Sequence, residues 1–203
     1  GGRLAAPVFA GIGVAAGRPG RMALTARGEV SGKRSAAGGY EWQSSGIDLL
    51  FEGAQLSDLA PWVGISLPAL GAYRIAARVA GTPAAPALPA IDIAIGGGGT
   101  PQITLRGSVA DLRNAGGIDV KLAASAADWW RLGKATGGQH LPPFRASARV
   151  HGTRQSVQVD ELALIVAEST VNASLQVVRG GPRLRVTGKL TSPLIDLARG
   201  LPA

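Results

Sequence analysis

Few side chains in this sequence are of the kinds that bind metals or perform reactions. Cysteine is absent, and His140 and His151 are the only two histidines in 203 residues. Neither histidine has a carboxylate at the spacing that metal ligands require. The adjacent acids Asp160 and Glu161 would form a catalytic dyad only by chance. We therefore expect no metal site, no cofactor and no enzymatic activity.

One glycine motif formally matches a phosphate-binding fingerprint. The segment Gly11-Ile12-Gly13-Val14-Ala15-Ala16 has the spacing of a dinucleotide-binding turn. That turn works only where a helix begins, because the helix N-terminus holds the pyrophosphate. Gly17-Arg18-Pro19-Gly20 follows at once and would end any helix. No Gly-x-Ser-x-Gly elbow is present either, so the chemistry of this chain is expected to be binding.

Composition favours a folded domain with a large apolar surface. Hydrophobic residues make up 46% of the chain, whereas aromatic residues make up only 4%. The net charge is +8, but the basic residues are scattered one or two at a time and without accompanying aromatics, which argues against nucleic acid as a partner. No apolar run reaches the ~18 residues of a transmembrane helix. The chain starts Gly1-Gly2-Arg3 and has no signal peptide, so we expect a segment of a longer protein.

Alternation of apolar and polar residues with a period of two dominates the sequence and predicts about ten strands. In the clearest case Tyr73, Ile75 and Val79 share one face and Arg74 and Arg78 the other. Short turns such as Asn114–Gly117 favour antiparallel neighbours, since parallel pairing needs crossover helices. The predicted strands lie at 73–79, 91–95, 102–106, 118–122, 144–150, 157–159, 162–166, 171–175 and 183–186, with weaker patterns at 22–25 and 47–49. Short helices are expected at 56–60, 126–132 and 192–199.

An internal repeat of 71 residues relates two parts of the chain. The shift carries Gly46-Ile47-Asp48 onto Gly117-Ile118-Asp119, and Ala77-Arg78-Val79 onto Ala148-Arg149-Val150. Both matches preserve the phase of the strand. We predict a partial N-terminal unit at residues 1–39 and two repeats at 40–116 and 117–203.

These repeats resemble the AsmA-like family of bacterial envelope proteins, which is related to TamB and YhdP. The resemblance is carried by the unit opening Leu67-Pro68 to Val79, its second copy Leu141-Pro142 to Val150, and the ending Thr191-Ser192-Pro193-Leu194-Ile195-Asp196-Leu197. It implies an all-β fold in which a strongly curved antiparallel sheet forms a repeating groove with a few short helices. It also implies a periplasmic location, an inner-membrane anchor, envelope protein partners and phospholipid as cargo.

The apolar faces of about ten strands must be covered by a second sheet, by barrel closure or by a ligand. Small aliphatic side chains suit a smooth wall for acyl chains, and large aromatics, which usually fill a β-sandwich core, are few. We predict the groove lining to be Ile75, Val79, Ile93, Ile103, Leu105, Ile118, Val120, Leu122, Val150, Leu164, Val166, Leu184 and Val186. The alternative is a structural or adhesive β-repeat scaffold with a closed core and no lipid cargo.

Overall fold

A computed structural model of the chain describes residues 6–18, 22–35, 39–97, 101–127, 142–180 and 183–194. The described residues form eleven strands and one short helical segment. The strands are β1 (Val8–Arg18), β2 (Met22–Arg34), β3 (Tyr40–Gly53), β4 (Tyr73–Gly81), β5 (Pro86–Ile95), β6 (Gln102–Asp111), β7 (Gly116–Ala126), β8 (Phe144–Gly152), β9 (Ser156–Val166), β10 (Ser169–Gly180) and β11 (Arg183–Leu194).

All eleven strands belong to one antiparallel sheet whose spatial order is the order of the chain. Each strand pairs with the strand before and the strand after it, and β1 and β11 do not pair with each other. At about 4.8 Å between strands the sheet is about 48 Å wide. The expected all-β, antiparallel fold with few helices is confirmed.

The structure differs from the strand predictions in two places. The first strand, β1, was not predicted, because Gly11, Gly13 and the neighbouring alanines show no alternation of apolar and polar residues. The segments 157–159 and 162–166 are one strand, β9, interrupted by a bulge at which Glu161 takes a left-handed φ of 52°. A bulge adds one residue to a strand. The apolar residues that share one face of β9 therefore stand at odd positions before the bulge and at even positions after it.

Three glycines within strands show that the sheet bends sharply towards one face. A Cβ on Gly107 would lie 2.1 Å from the carbonyl oxygen of Asp119 on the neighbouring strand. The corresponding distance is 2.5 Å from Gly28 to the carbonyl oxygen of Gly46, and 2.3 Å from Gly188 to that of Ser174. In a flat sheet a Cβ points away from the neighbouring backbone. The sheet therefore curves towards the side on which these absent side chains would stand.

The one helical segment among the described residues follows β3. It consists of a 3-10 turn (Leu56–Leu59) that continues into the four-residue helix α1 (Ala60–Val63) and ends at Gly64, whose φ is 71°. This confirms the first predicted helix, and we call Leu56–Val63 the cover segment. The helix predicted at 126–132 does not begin at Ala126, which is the last residue of β7. From residue 128 onwards that prediction, with the pair Trp129-Trp130, lies outside the described residues.

The helix predicted at 192–199 is wrong at its start. Strand β11 continues through Ser192 and Pro193 to Leu194, which pairs with Thr170. The Ser192 hydroxyl, expected to cap a helix, instead donates a hydrogen bond to the carbonyl oxygen of Thr170 at 2.7 Å. Pro193 is tolerated because β11 is an edge strand of the sheet in the part of the chain that the structure describes.

Strands β4 and β8 begin 71 residues apart and are both nine residues long. Their pairing with the following strand is also equivalent: Tyr73 pairs with Ile95, and Phe144 with Val166. The division of the chain into units at residues 39 and 116 remains a prediction.

Candidate functional site

One face of the sheet is aliphatic across all eleven strands. Residues directly paired in an antiparallel sheet lie on the same side, so the register identifies the face. Ile75 pairs with Ile93, Ile93 with Leu105, and Leu105 with Leu122. The same side continues through the pairs Leu122–Ala148, Ala146–Leu164 and Leu164–Val171. It reaches the last strand, β11, at the pair Val177–Val186. We call this side the aliphatic face.

All thirteen residues predicted to line the groove lie on the aliphatic face. Ten are half-buried, whereas Leu122, Leu184 and Val186 are exposed. Val186 is 61% exposed because, among the described strands, β11 pairs with β10 alone. The half-burial of the others comes largely from neighbours on the same face, since no second sheet packs on this side within the described residues.

The predicted groove lining omitted the part of the aliphatic face that lies on β1, β2 and β3, although weaker strand patterns were predicted at 22–25 and 47–49. Ile12, Val14, Leu24 and Phe51 continue the same set of pairs towards the first strand. In β3 the alternation is visible in the sequence, because Ile47, Leu49 and Phe51 occupy every second position. The residues between and after them are Asp48, Leu50 and Glu52. In β1 the aliphatic residues stand among glycine and alanine, so nothing in the sequence marks one face as polar.

The cover segment packs on one end of the aliphatic face and forms the best-buried cluster of the described residues. Leu56, Leu59, Leu70 and Tyr73 are each at most 7% exposed. They pack against partly buried side chains at the adjacent strand ends, namely Met22, Phe51, Leu67, Ile75, Ile95 and Ile103. Burial of two leucines therefore holds a helical segment across one end of an otherwise open face.

Three aromatic rings stand on the aliphatic face at its opposite end. Phe9 lies 5.9 Å from Trp42, and Tyr40 lies 5.7 Å from Trp42, between ring centroids. The rings are 37–52% exposed. They extend the apolar surface along β1–β3 with side chains that tolerate partial contact with water.

The opposite side of the sheet, which we call the charged face, carries ion pairs between neighbouring strands. Asp119 accepts two hydrogen bonds from Arg149, at 3.0 and 2.8 Å. Arg106 contacts Asp92 at 3.1 Å, and Arg78 contacts Asp48 at 3.7 Å. The hydrogen bond from Arg149 lowers the pKa of Asp119, and the same bond raises the pKa of Arg149. Asp48, Asp92 and Asp119 are thus each paired with an arginine on this face.

A hollow of about 810 Å³ lies on the charged face above β2–β6. It forms where the small side chains of Ala76 and Ala90 stand between long arginines. Its rim holds four arginines and two aspartates: Arg27, Arg74, Arg78, Arg106, Asp48 and Asp92. Since these groups are largely exposed to water and two of the arginines are already paired, their charge is well screened. The hollow is a weaker candidate than the aliphatic face.

The remaining candidate for chemistry, His151, lies on the charged face. Its Nδ1 is 3.3 Å from Asp160, and its Nε2 contacts Gln158. Nowhere in the described part of the chain do three or more His, Asp or Glu side chains stand close enough to share a metal ion. His140 lies outside the described residues.

No helix in the described ranges combines the length and the hydropathy needed to cross a bilayer. Comparisons with protein-family models, with curated proteins and with solved structures find no match for this chain.

Proposed function

We propose that this chain is a non-enzymatic, lipid-binding segment of an AsmA-like envelope protein. In this proposal the aliphatic face shelters the acyl chains of phospholipids during transport between the inner and outer membranes. The chain would work in the periplasm, attached to the inner membrane by a preceding anchor and assisted by envelope partners. The family resemblance supplies the location, the anchor and the partners.

The observation that carries the proposal is a wide aliphatic face with no second layer of protein over most of it in the described residues. Leaving such a surface in water is unfavourable, whereas each methylene that it covers stabilises the complex by about 0.8 kcal/mol. Ten covered methylenes would contribute about 8 kcal/mol. The bend towards the aliphatic face at Gly28, Gly107 and Gly188 brings its side chains closer around such a guest.

The shape of the site suits a mobile guest. The hydrophobic attraction has no preferred direction, and the lining repeats similar aliphatic side chains from strand to strand. A hydrocarbon chain can therefore move along the face without crossing a strongly preferred position. This is the property that a conduit requires and that a tight binding pocket lacks.

The scaffold alternative needs a closed core. Within the described residues the sheet is single and its first and last strands do not pair with each other, so the aliphatic face is not sealed by a second sheet or by barrel closure. A scaffold of this shape would need another protein surface to cover the face. The two proposals differ in what occupies the face of the isolated, purified chain.

Lipid retention by a pair of variants on opposite faces tests the proposal. Leu105→Glu places a charge in the middle of the aliphatic face, while Thr104→Glu adds the same charge to the charged face one residue earlier. We expect native mass spectrometry and lipid extraction to find phospholipid on the wild type and on Thr104→Glu, and at least tenfold less on Leu105→Glu. Circular dichroism should show strand in all three. A wild type that stays free of lipid after exposure to phospholipid vesicles would contradict the proposal.

A further inference from the structure

The hydroxyl group of Tyr73 is buried without a hydrogen-bond partner. Tyr73 begins β4 on the aliphatic face, is 3% exposed and lies within the cluster formed with the cover segment. Its Oη makes no hydrogen bond in the described structure. The ring is held by an edge contact with Phe51 at 5.6 Å between centroids. The apolar body is thus well packed and the polar tip is unsatisfied.

Packing alone does not require a hydroxyl at this position. The 71-residue shift places Phe144 at the corresponding start of β8, on the same face. A phenylalanine at position 73 would keep the ring contacts and would bury no unpaired polar atom. Because an unsatisfied buried donor is unfavourable, its presence calls for a partner that binds there.

The surroundings define the chemistry of that partner. Burial raises the pKa of Tyr73, and the negative charge of Asp58 raises it further, so the hydroxyl remains protonated and acts as a donor. The same Asp58 charge disfavours an anionic partner such as a free carboxylate. The neighbouring side chains Leu59, Ile75 and Ile95 require that the acceptor be attached to hydrocarbon. A neutral carbonyl oxygen on an apolar chain meets all three conditions.

We propose that Tyr73 is a specificity residue whose Oη donates a hydrogen bond to the ester carbonyl of a glycerolipid lying on the aliphatic face. This inference rests on the proposed function and adds a fixed polar contact at the covered end of the face. It predicts that the chain distinguishes lipids by the linkage between chain and glycerol. The rest of the aliphatic face contacts only the hydrocarbon chains of the lipid.

The carbonyl reaches Oη when the cover segment moves aside. That segment is eight residues long, and neither of its two helical parts has a side-chain N-cap. Two hydrogen bonds to Gly71 hold the start of the segment in place. Leu56 N–H donates to the Gly71 carbonyl at 2.9 Å, and Gly71 N–H donates to Oε1 of Gln55, the residue before the segment, at 2.7 Å. The leucine contacts that hold it are of the kind that an acyl chain can replace. When an acyl chain displaces the cover segment, one apolar covering of the aliphatic face therefore replaces another.

Two phospholipids with identical head groups and chains, one ester-linked and one ether-linked, test the inference. We expect the wild type to bind the ester lipid about 3- to 10-fold more tightly, the effect of one hydrogen bond. Tyr73→Phe should abolish this preference. Tyr40→Phe removes the same group from the opposite end of the aliphatic face and should retain the preference. Equal affinities in the wild type, or a preference that survives in Tyr73→Phe, would overturn the inference.

The same variants separate this inference from the proposed function. If the wild type binds both lipids equally and Leu105→Glu binds neither, the aliphatic face binds lipid and only the role of Tyr73 is wrong. If the wild type binds neither lipid, both proposals fail. Without lipid, Tyr73→Phe should melt at the wild-type temperature or above it, because no hydrogen bond is lost. A clear drop in melting temperature would instead assign the hydroxyl a structural role and overturn the inference.

Discussion

Asp119 on β7 and Arg149 on β8 form the ion pair on the charged face that corresponds, 71 residues later, to the pair between Asp48 and Arg78. The geometry of the two pairs differs. Asp48 is directly opposite Arg78, whereas Arg149 is directly opposite Lys121 and reaches diagonally to Asp119. The diagonal pair is the closer one, at 2.8 Å against 3.7 Å. The repeat therefore preserves the partners while the strand register slips by two residues.

This ion pair makes the free energy of unfolding depend on pH in the acidic range. Arg149 lowers the pKa of Asp119 from its ordinary value of 3.8 in the folded state. The contribution is therefore present above about pH 4 and is lost as the pH falls through the lowered value. In Arg149→Gln the pKa of the Asp119 carboxyl, measured by NMR, should rise towards its ordinary value, and the loss of unfolding free energy below pH 4 should be smaller. Arg78→Gln, which removes the other pair, should leave the titration of Asp119 unchanged.

Glycine at position 107 is required by the bend of the sheet. A Cβ there would lie 2.1 Å from the Asp119 carbonyl oxygen and 2.6 Å from Val120 Cα, so the backbone itself would have to move. We expect Gly107→Ala to lower the free energy of unfolding by about 1–3 kcal/mol, measured by urea denaturation. Gly13→Ala in β1 is the control, because a Cβ there would have nothing within 4 Å. A control variant as unstable as Gly107→Ala would show that glycine matters for some other reason.

The cover segment depends on two leucines. Leu59 is 4% exposed, and shortening it leaves a gap beneath the segment. We expect Leu59→Ala to lower the free energy of unfolding of this end of the sheet by about 2–3 kcal/mol, near the lower end for buried leucines because the cluster is small. Hydrogen exchange at residues 56–60 should speed up. Ile65→Ala, at a side chain 61% exposed, should change neither measurement.

Alternation within strands predicted much of the fold, but the pairing between strands needed the structure. The pattern from Tyr73 to Val79 is regular, and β4 follows it closely. The face shared by Leu88 and Ile91 cannot be read from alternation, because a bulge between them changes the phase. The register between β7 and β8 also places Asp119 diagonally from Arg149. Sequence alone does not fix a two-residue slip between strands that keep the same face inward.

The candidate site was predicted in its aliphatic part and missed in its polar part. All thirteen predicted residues lie on one face because period two assigns each strand a side and consecutive antiparallel strands keep that side. The special position of Tyr73 depends on burial by Leu56 and Leu59, which are more than ten residues away in sequence. Nothing in the alternation distinguishes its hydroxyl from the ring of Phe144. Likewise, Ser192 carries a helix-start signal, and only the pairing of β11 with β10 overrides it.

The meander order has a mechanical consequence. Because every described strand is hydrogen-bonded only to the strands before and after it in the chain, a hairpin can be gained or lost without changing how the other strands pair. Under a pulling force applied across the strands, such a sheet should peel apart in small successive steps instead of rupturing in one event. Its span is therefore a quantity that evolution or an engineer can adjust in pairs of strands.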